Sequence, residues 1–198
     1  MLNAIHPIAK EYTPESLFAE LKPYFSQMAA TSGGVTFSGG EPLLQTPSLL
    51  PLLSLLKDSN INICFETTLV ATVGMLKMII PYADEFIIDL KLQPEMMLGD
   101  EIYLNNIKRQ LEIISPEKRL TFRLVYVDSV YDNKSDVLRA IKYIGLTDIE
   151  ILKVHNLAEA KYRNLGIPFT EFTAEDRKLA DFCNCLSQNG TLTTLLSV

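Results

Sequence analysis

The feature that most restricts the fold is a repeated alternation of short apolar runs with longer segments of helical periodicity. The runs predict about six strands, at residues 35–37, 61–65, 85–90, 120–127, 149–154 and 192–196. Helices are predicted to begin at Thr13-Pro14 and Thr46-Pro47, and a capping box at Thr173 is predicted to start the last one. This alternation predicts a parallel sheet with helical crossovers, in one α/β domain spanning residues 1–198. Six strands are too few for a closed eight-stranded barrel.

The strongest local motif follows the first predicted strand, within the stretch GGVTFSGGEPLLQ at residues 33–45. The strand stops at Ser38, and Gly39 and Gly40 leave bare backbone whose N–H and C=O groups can contact a ligand. Glu41 adds a fixed negative charge suited to an ammonium group. Taken alone, the glycines and glutamate are equally consistent with a tight turn, because Gly-Gly and Glu-Pro are common in loops.

As a whole, this stretch resembles the strand and loop of the radical S-adenosylmethionine (SAM) activating enzymes of glycyl radical enzymes. The resemblance implies that Ser38, Gly39, Gly40 and Glu41 form the loop that holds the methionine amino group of SAM. It also implies a partial (β/α)6 TIM-like open barrel of the radical SAM type. Compared with the family, this chain is expected to lack the first strand and the cluster loop.

Polar residues recur at the carboxyl end of one predicted strand after another. They are Glu41, Glu66 with Thr67, Asp89 with Lys91, and His155. In parallel sheets these ends gather at one edge, where ligands bind. The pattern therefore predicts a ligand site, although strand exits are also polar simply because loops contact water.

Two of the predicted strands carry charges that need partners. Asp89 and Lys91 lie on one side of their strand, because side chains alternate with a period of two, so an ion pair is one interpretation. Arg123 lies among apolar residues, where an inward-facing guanidinium needs a carboxylate, unless it is exposed on an edge strand. The resemblance implies that Asp89 and Lys91 contact the carboxylate and ribose of SAM and that Arg123 also contacts SAM.

His155 ends a predicted strand and, considered alone, is consistent with a capped or exposed histidine. The segment LKVHNL at residues 152–157, with Lys161-Tyr162 and Leu165-Gly166, resembles a family pattern in which the histidine touches SAM. Glu66, Thr67 and Asp89 are oxygen donors on neighbouring strands and form a candidate cation site. The resemblance implies a monovalent cation at these positions, and a hydrogen-bond cluster is the alternative.

The chain contains three cysteines, Cys64, Cys183 and Cys185. An odd number without framework spacing indicates reduced thiols. Cys183 and Cys185 point to different sides of a predicted helix, and Cys64 is predicted to be buried in its strand. Members of the family bind a [4Fe–4S] cluster through a CxxxCxxC loop, which this chain does not contain. The cluster is therefore expected only in a full-length form, and this chain alone is expected to be inactive.

Composition narrows the function further. A net charge of −6 and a pI near 5.0 argue against nucleic acid as a partner, because phosphate binding needs a basic surface. No apolar run approaches the ~18 residues of a membrane span, and the N-terminus lacks the layout of a signal peptide. A cytoplasmic protein is expected.

The resemblance implies the C-terminal part of an activating enzyme of anaerobic metabolism. In the family, a reduced cluster cleaves SAM, and the resulting radical abstracts hydrogen from a glycine of a pyruvate formate-lyase-like partner. A flavodoxin or ferredoxin would supply the electron to a full-length form. The alternative is a cluster-less, non-catalytic module that binds SAM or the partner. An enzyme with another cofactor has no supporting motif such as GxGxxG.

Overall fold

The computed structural model describes residues 10–92, 101–114, 116–131 and 133–196. At its centre is a six-stranded sheet in which all neighbouring strands are parallel and the strand order follows the chain order. The strands are β1 (Gly34–Phe37), β2 (Asn62–Thr67), β3 (Glu85–Asp89), β4 (Arg119–Tyr126), β5 (Asp148–Lys153) and β6 (Leu192–Leu196). The predicted parallel α/β sheet is confirmed.

Two helices precede β1, and further helices lie in the connections between the strands. They are α1 (Pro14–Leu21), α2 (Phe25–Ala30), α3 (Thr46–Asp58), α4 (Val73–Ile79), α5 (Glu101–Ile113), α6 (Lys134–Ile144), α7 (Glu159–Asn164) and α8 (Asp176–Gln188). Each helix of the series α1, α3, α4, α5, α6 and α8 contacts the next one. Strands that follow the chain order, with their helices in one continuous layer, are typical of a (β/α) barrel. In this chain, β1 and β6 are the two edge strands of the sheet. The predicted open, partial barrel is confirmed.

One face of the sheet packs under the helices and forms the core. Phe65, Phe86, Ile88, Leu124 and Ile151 point to this side and are fully buried. The opposite face, which we call the open face, is only partly buried, because none of the described helices forms a layer over it. Its residues include Thr36, Cys64, Glu66, Ile87, Asp89, Arg123 and Glu150.

Two predictions from local sequence are wrong, because tertiary contacts decide those positions. The last helix begins at Asp176 without a side-chain cap of its own, and Asp128 instead accepts a hydrogen bond from the Glu175 N–H with both carboxylate oxygens, at 3.0 and 3.2 Å. Cys64 is half-buried, because Ile63 and Phe65 take the helix-covered side of β2 and alternation places Cys64 on the open face. Burial raises the pKa of the Cys64 thiol, and nearby Glu85 raises it further.

Between β3 and β4, residues 93–100 lie outside the described part of the chain, and α5 begins after them. Among the described helices, none has both the length and the apolar character needed to cross a membrane.

Gly34 in β1 lies directly beside Asn62 in β2, and it yields a stability prediction. A Cβ at Gly34 would lie 2.2 Å from the Asn62 carbonyl oxygen. We expect Gly34→Ala to lower the free energy of unfolding by about 2–3 kcal/mol, measured by urea denaturation. The matched control is Gly74→Ala, where the new Cβ would come no closer than 3.7 Å to the Thr72 hydroxyl. Equal stability of the two variants would contradict the prediction.

Candidate functional site

The candidate site lies at the carboxyl ends of β1 to β5, where the loop after β1 begins with Ser38, Gly39 and Gly40. All three residues are exposed. Gly39 has a φ of +98°, which favours glycine, and a Cβ on either glycine would meet no atom within 4 Å. The glycines are therefore not required for packing inside the chain, and they leave an open cradle of backbone.

The Glu41 carboxylate fastens this loop to the end of β2. One oxygen accepts hydrogen bonds from the Thr67 hydroxyl (2.6 Å) and the Leu43 N–H (3.1 Å). The other accepts hydrogen bonds from the Thr68 N–H (2.9 Å) and the Thr68 hydroxyl (2.7 Å). The predicted negative charge is therefore present at the loop. The Glu41 carboxylate is engaged by groups of this chain, and it positions the backbone of the loop. This leaves the backbone of Gly39 and Gly40 as the surface that faces outward.

Arg123 joins three strands on the open face. Its guanidinium donates to Glu150 Oε2 from Nη2 (2.9 Å) and Nε (3.2 Å), and to Glu66 Oε1 from Nη1 (3.1 Å). The second Glu66 oxygen accepts a hydrogen bond from the Ser38 hydroxyl at 2.7 Å. The predicted carboxylate partner is confirmed, and the exposed-edge alternative is wrong because β4 lies inside the sheet between β3 and β5.

Asp89 and Lys91 form the predicted ion pair, with 2.5 Å between Lys91 Nζ and Asp89 Oδ2. The other Asp89 oxygen, Oδ1, is buried, and no hydrogen-bond donor among the described residues reaches it. Burial raises the pKa of the Tyr103 and Tyr131 hydroxyls, and the charge of Asp89 raises both further. At the carboxyl end of β3, Asp89 therefore presents an acceptor oxygen that has no partner within the described part of the chain.

His155 is exposed and lies apart from this network. It lines a pocket on the β6 side of the sheet, together with Val154, Leu179 and Leu195. The Lys153–Asp176 ion pair, 2.6 Å between Lys153 Nζ and Asp176 Oδ1, forms another wall. The structure therefore places His155 at the predicted strand exit but gives it a separate apolar surrounding.

Two residues of the candidate cation site, Glu66 and Thr67, point to opposite sides of the sheet. Thr67 points to the helix-covered side and donates to Glu41, whereas Glu66 lies on the open face between Ser38 and Arg123. Within the described part of the chain, no cluster of three carboxylate, imidazole or thiol groups could hold a metal ion. Glu66 and Thr67 each take part in hydrogen bonds, and the monovalent cation at Glu66, Thr67 and Asp89 stays a prediction.

Comparison with known proteins gives the family. The chain is 30% identical over 183 residues to the pyruvate formate-lyase-activating enzyme of Staphylococcus epidermidis, covering 83% of this chain and 71% of that enzyme. It is also 30% identical over 172 residues to the 4-hydroxyphenylacetate decarboxylase activating enzyme of Clostridium scatologenes, covering 83% of this chain and 55% of that protein. The chain belongs to the radical SAM activating enzymes of glycyl radical enzymes. No protein-family model matches it.

Solved structures support the fold of this activating-enzyme family. A domain of the pyruvate-formate lyase-activating enzyme from Bacteroides vulgatus superposes with a TM-score of 0.61 at 21% identity, covering 83% of this chain and 99% of that domain. Streptococcus suis SuiB bound to S-adenosylmethionine superposes with a TM-score of 0.64 at 12% identity, covering 97% of this chain and 45% of SuiB. These likenesses place the sheet and its helix layer among radical SAM folds.

The residues present do not fit the family's [4Fe–4S] cluster. Cluster binding needs three or four converging cysteine thiolates. Cys64 lies on the open face of β2, whereas Cys183 and Cys185 lie on α8 under the opposite face, and all three are free thiols. No step through a cluster is therefore derived for these residues.

Sequence analysis missed four side chains that shape the site. They are Glu150 on β5 and Tyr103, Asn106 and Gln110 on α5. Glu150 could have been found, because it interrupts an apolar strand as Arg123 does. The α5 residues give no such signal, since polar residues on a helix usually face water.

Proposed function

We propose that this chain is the C-terminal, SAM-holding part of an activating enzyme for a glycyl radical enzyme of the pyruvate formate-lyase kind. The proposal rests on the cradle of exposed backbone at Gly39 and Gly40, together with the buried Asp89 Oδ1, which no donor among the described residues reaches. When bound, SAM would supply the hydrogen-abstracting chemistry that the family resemblance implies. The chain's own residues bind and orient it.

The roles follow from the chemistry of each group. The backbone of Gly39 and Gly40 offers contacts to the amino-acid end of SAM, with Glu41 fixing the loop. Asp89 Oδ1 is an acceptor for an N–H or O–H group, and Lys91 supplies a cation beside it. Arg123 and His155 remain predicted SAM contacts, with Arg123 already held by two carboxylates.

Charge gives independent support. Among the described residues near the carboxyl ends of the strands, three carboxylates on the open face, those of Glu66, Asp89 and Glu150, meet the two cations Lys91 and Arg123. The excess negative charge suits SAM, which carries a net positive charge through its sulfonium. The demethylated product, S-adenosylhomocysteine, has almost the same shape but lacks that charge.

We expect the 198-residue chain to bind SAM more tightly than S-adenosylhomocysteine, by about tenfold at low salt, because the open face carries excess negative charge. Isothermal titration calorimetry of both ligands measures the ratio, and added salt should reduce it. Asp89→Asn should lower the ratio, whereas Glu159→Gln on exposed α7 should leave it unchanged. Tighter binding of S-adenosylhomocysteine, or no binding of either ligand, would contradict the proposal.

The [4Fe–4S] cluster and its flavodoxin or ferredoxin reductant belong to the proposal only for a longer form of the protein. A cluster-less module that binds SAM or the glycyl radical partner is the second candidate, favoured by the dispersed cysteines. Sequencing the gene upstream of the Met1 codon separates the two. An in-frame CxxxCxxC supports the catalytic form, and a nearby stop codon supports the module.

A further inference from the structure

One face of α5 contacts the exits of two neighbouring strands. Tyr103, Asn106 and Gln110 recur at helical spacing, so they lie along a single side of the helix. The Tyr103 hydroxyl accepts a hydrogen bond from the Lys91 N–H at 3.0 Å, after β3. The Asn106 and Gln110 amides donate to the Leu69 carbonyl at 3.1 and 2.6 Å, after β2.

The segment after β2 adopts a costly backbone conformation. Leu69 has a φ of +57° and is fully buried, which is unfavourable for a residue with a branched side chain. Its carbonyl receives both α5 amides, and Gln110 Nε2 also donates to the Ala71 carbonyl at 3.3 Å. These donors stabilise the turn that the local backbone disfavours.

The same turn holds the glycine loop. The Leu69 N–H donates to the Thr67 hydroxyl at 2.9 Å, and that hydroxyl donates to Glu41. Thr68, the residue directly before Leu69, donates to the other Glu41 oxygen from its N–H and its hydroxyl. A continuous set of hydrogen bonds therefore connects α5, through the turn at Leu69, to the carboxylate that fixes Gly39 and Gly40.

Gln110 is an unusual residue for a purely structural position. It is fully buried, and its Oε1 atom is reached by no donor among the described residues. An unpaired buried oxygen is destabilising, so an apolar side chain of similar size removes that penalty while it also removes the amide N–H, and the two effects on stability oppose each other. What an apolar side chain cannot supply is the amide N–H that Leu69 and Ala71 accept.

We propose that Gln110, with Asn106, is a positioning residue of the SAM site, acting through the turn at Leu69 on Glu41 and the glycine loop. Tyr103, on the same face of α5, fixes the backbone at Lys91, just after the end of β3. The α5 side chains thereby set the spacing between the glycine loop and the Asp89–Lys91 pair. The part concerning SAM rests on the proposed function, whereas the part concerning the turn does not.

The test compares Gln110→Leu with Ile107→Val in the 198-residue chain. Ile107 is a fully buried neighbour on α5 and serves as the matched control. We expect Gln110→Leu to unfold at nearly the same urea concentration as the control, yet to weaken SAM binding by about tenfold. It should also speed hydrogen exchange of the Thr68 and Leu69 amides without ligand.

Combining Gln110→Leu with Thr68→Val gives a second readout. If both residues act on one loop, the two losses of SAM affinity will not add. Unchanged exchange at Thr68 and Leu69 in Gln110→Leu would overturn the inference, as would affinity losses that add fully. Absence of SAM binding in the unsubstituted chain would instead contradict the proposed function, while the exchange result would still decide the role of Gln110 at the turn.

Discussion

Glu41→Ala is expected to abolish detectable SAM binding and to lower the free energy of unfolding by about 2–4 kcal/mol. Four donors lose their acceptor at once, including the hydroxyl of Thr67, which is 2% exposed. The glycine loop then loses its attachment to β2. Calorimetry with SAM and urea denaturation measure the two effects.

Glu41→Gln separates the charge from the attachment. The amide keeps one acceptor oxygen, so two of the four hydrogen bonds can persist, and we expect about half of the stability loss of the alanine variant. Glu159→Gln is the control, because that glutamate forms only an exposed pair with Arg163 on α7. A Glu41→Ala variant with unchanged stability and unchanged SAM affinity would show that the carboxylate does not fix the loop.

Arg123→Met is expected to give the other large effect, a loss of about 3–4 kcal/mol in the free energy of unfolding. The Arg123 side chain is 22% exposed, and its guanidinium lies between two carboxylates on the open face, so its removal leaves Glu66 and Glu150 without this cation. Methionine fills a similar volume, which limits the contribution of a cavity. Urea denaturation measures the loss, and added salt should reduce it.

A second substitution distinguishes electrostatics from packing. In the Arg123→Met background, Glu150→Gln removes one of the two repelling charges and should restore part of the lost stability. In the unmodified chain, the same Glu150→Gln change should destabilise, because it weakens an existing ion pair. If Glu150→Gln destabilises both backgrounds equally, the interpretation that Arg123 neutralises the carboxylates of Glu66 and Glu150 is contradicted.

The sequence predicted those features that depend on periodicity. The strand positions follow from short apolar runs, and the one-sided placement of Asp89 and Lys91 follows from alternation with a period of two. The need of Arg123 for a carboxylate follows from its apolar neighbours. The partners themselves could not be predicted. Glu66 and Glu150 lie 57 and 27 residues from Arg123, and only the register of β2, β4 and β5 brings them to it.

Side chains that serve backbone groups elsewhere were the least predictable. From the sequence, Glu41 is interpreted as a free charge. Its role as a hydrogen-bond acceptor depends on Thr67 and Thr68 at the end of β2, and the local sequence does not show this contact. Gln110 is buried only because the turn at Leu69 presents carbonyls to α5. Thr173 failed as a cap because Asp128 supplies the acceptor from the loop after β4. In each case a tertiary contact outweighed the local pattern.

The central claim is that SAM binds at the carboxyl ends of the strands on the open face. Hydrogen–deuterium exchange of the 198-residue chain, with and without saturating SAM, tests it most directly. The account predicts slower exchange at residues 38–41, 66–68 and 89–91 with SAM, and unchanged exchange at the amino ends of the strands around Gly34 and Asn62. Protection confined to the amino ends, or no protection anywhere, would contradict it.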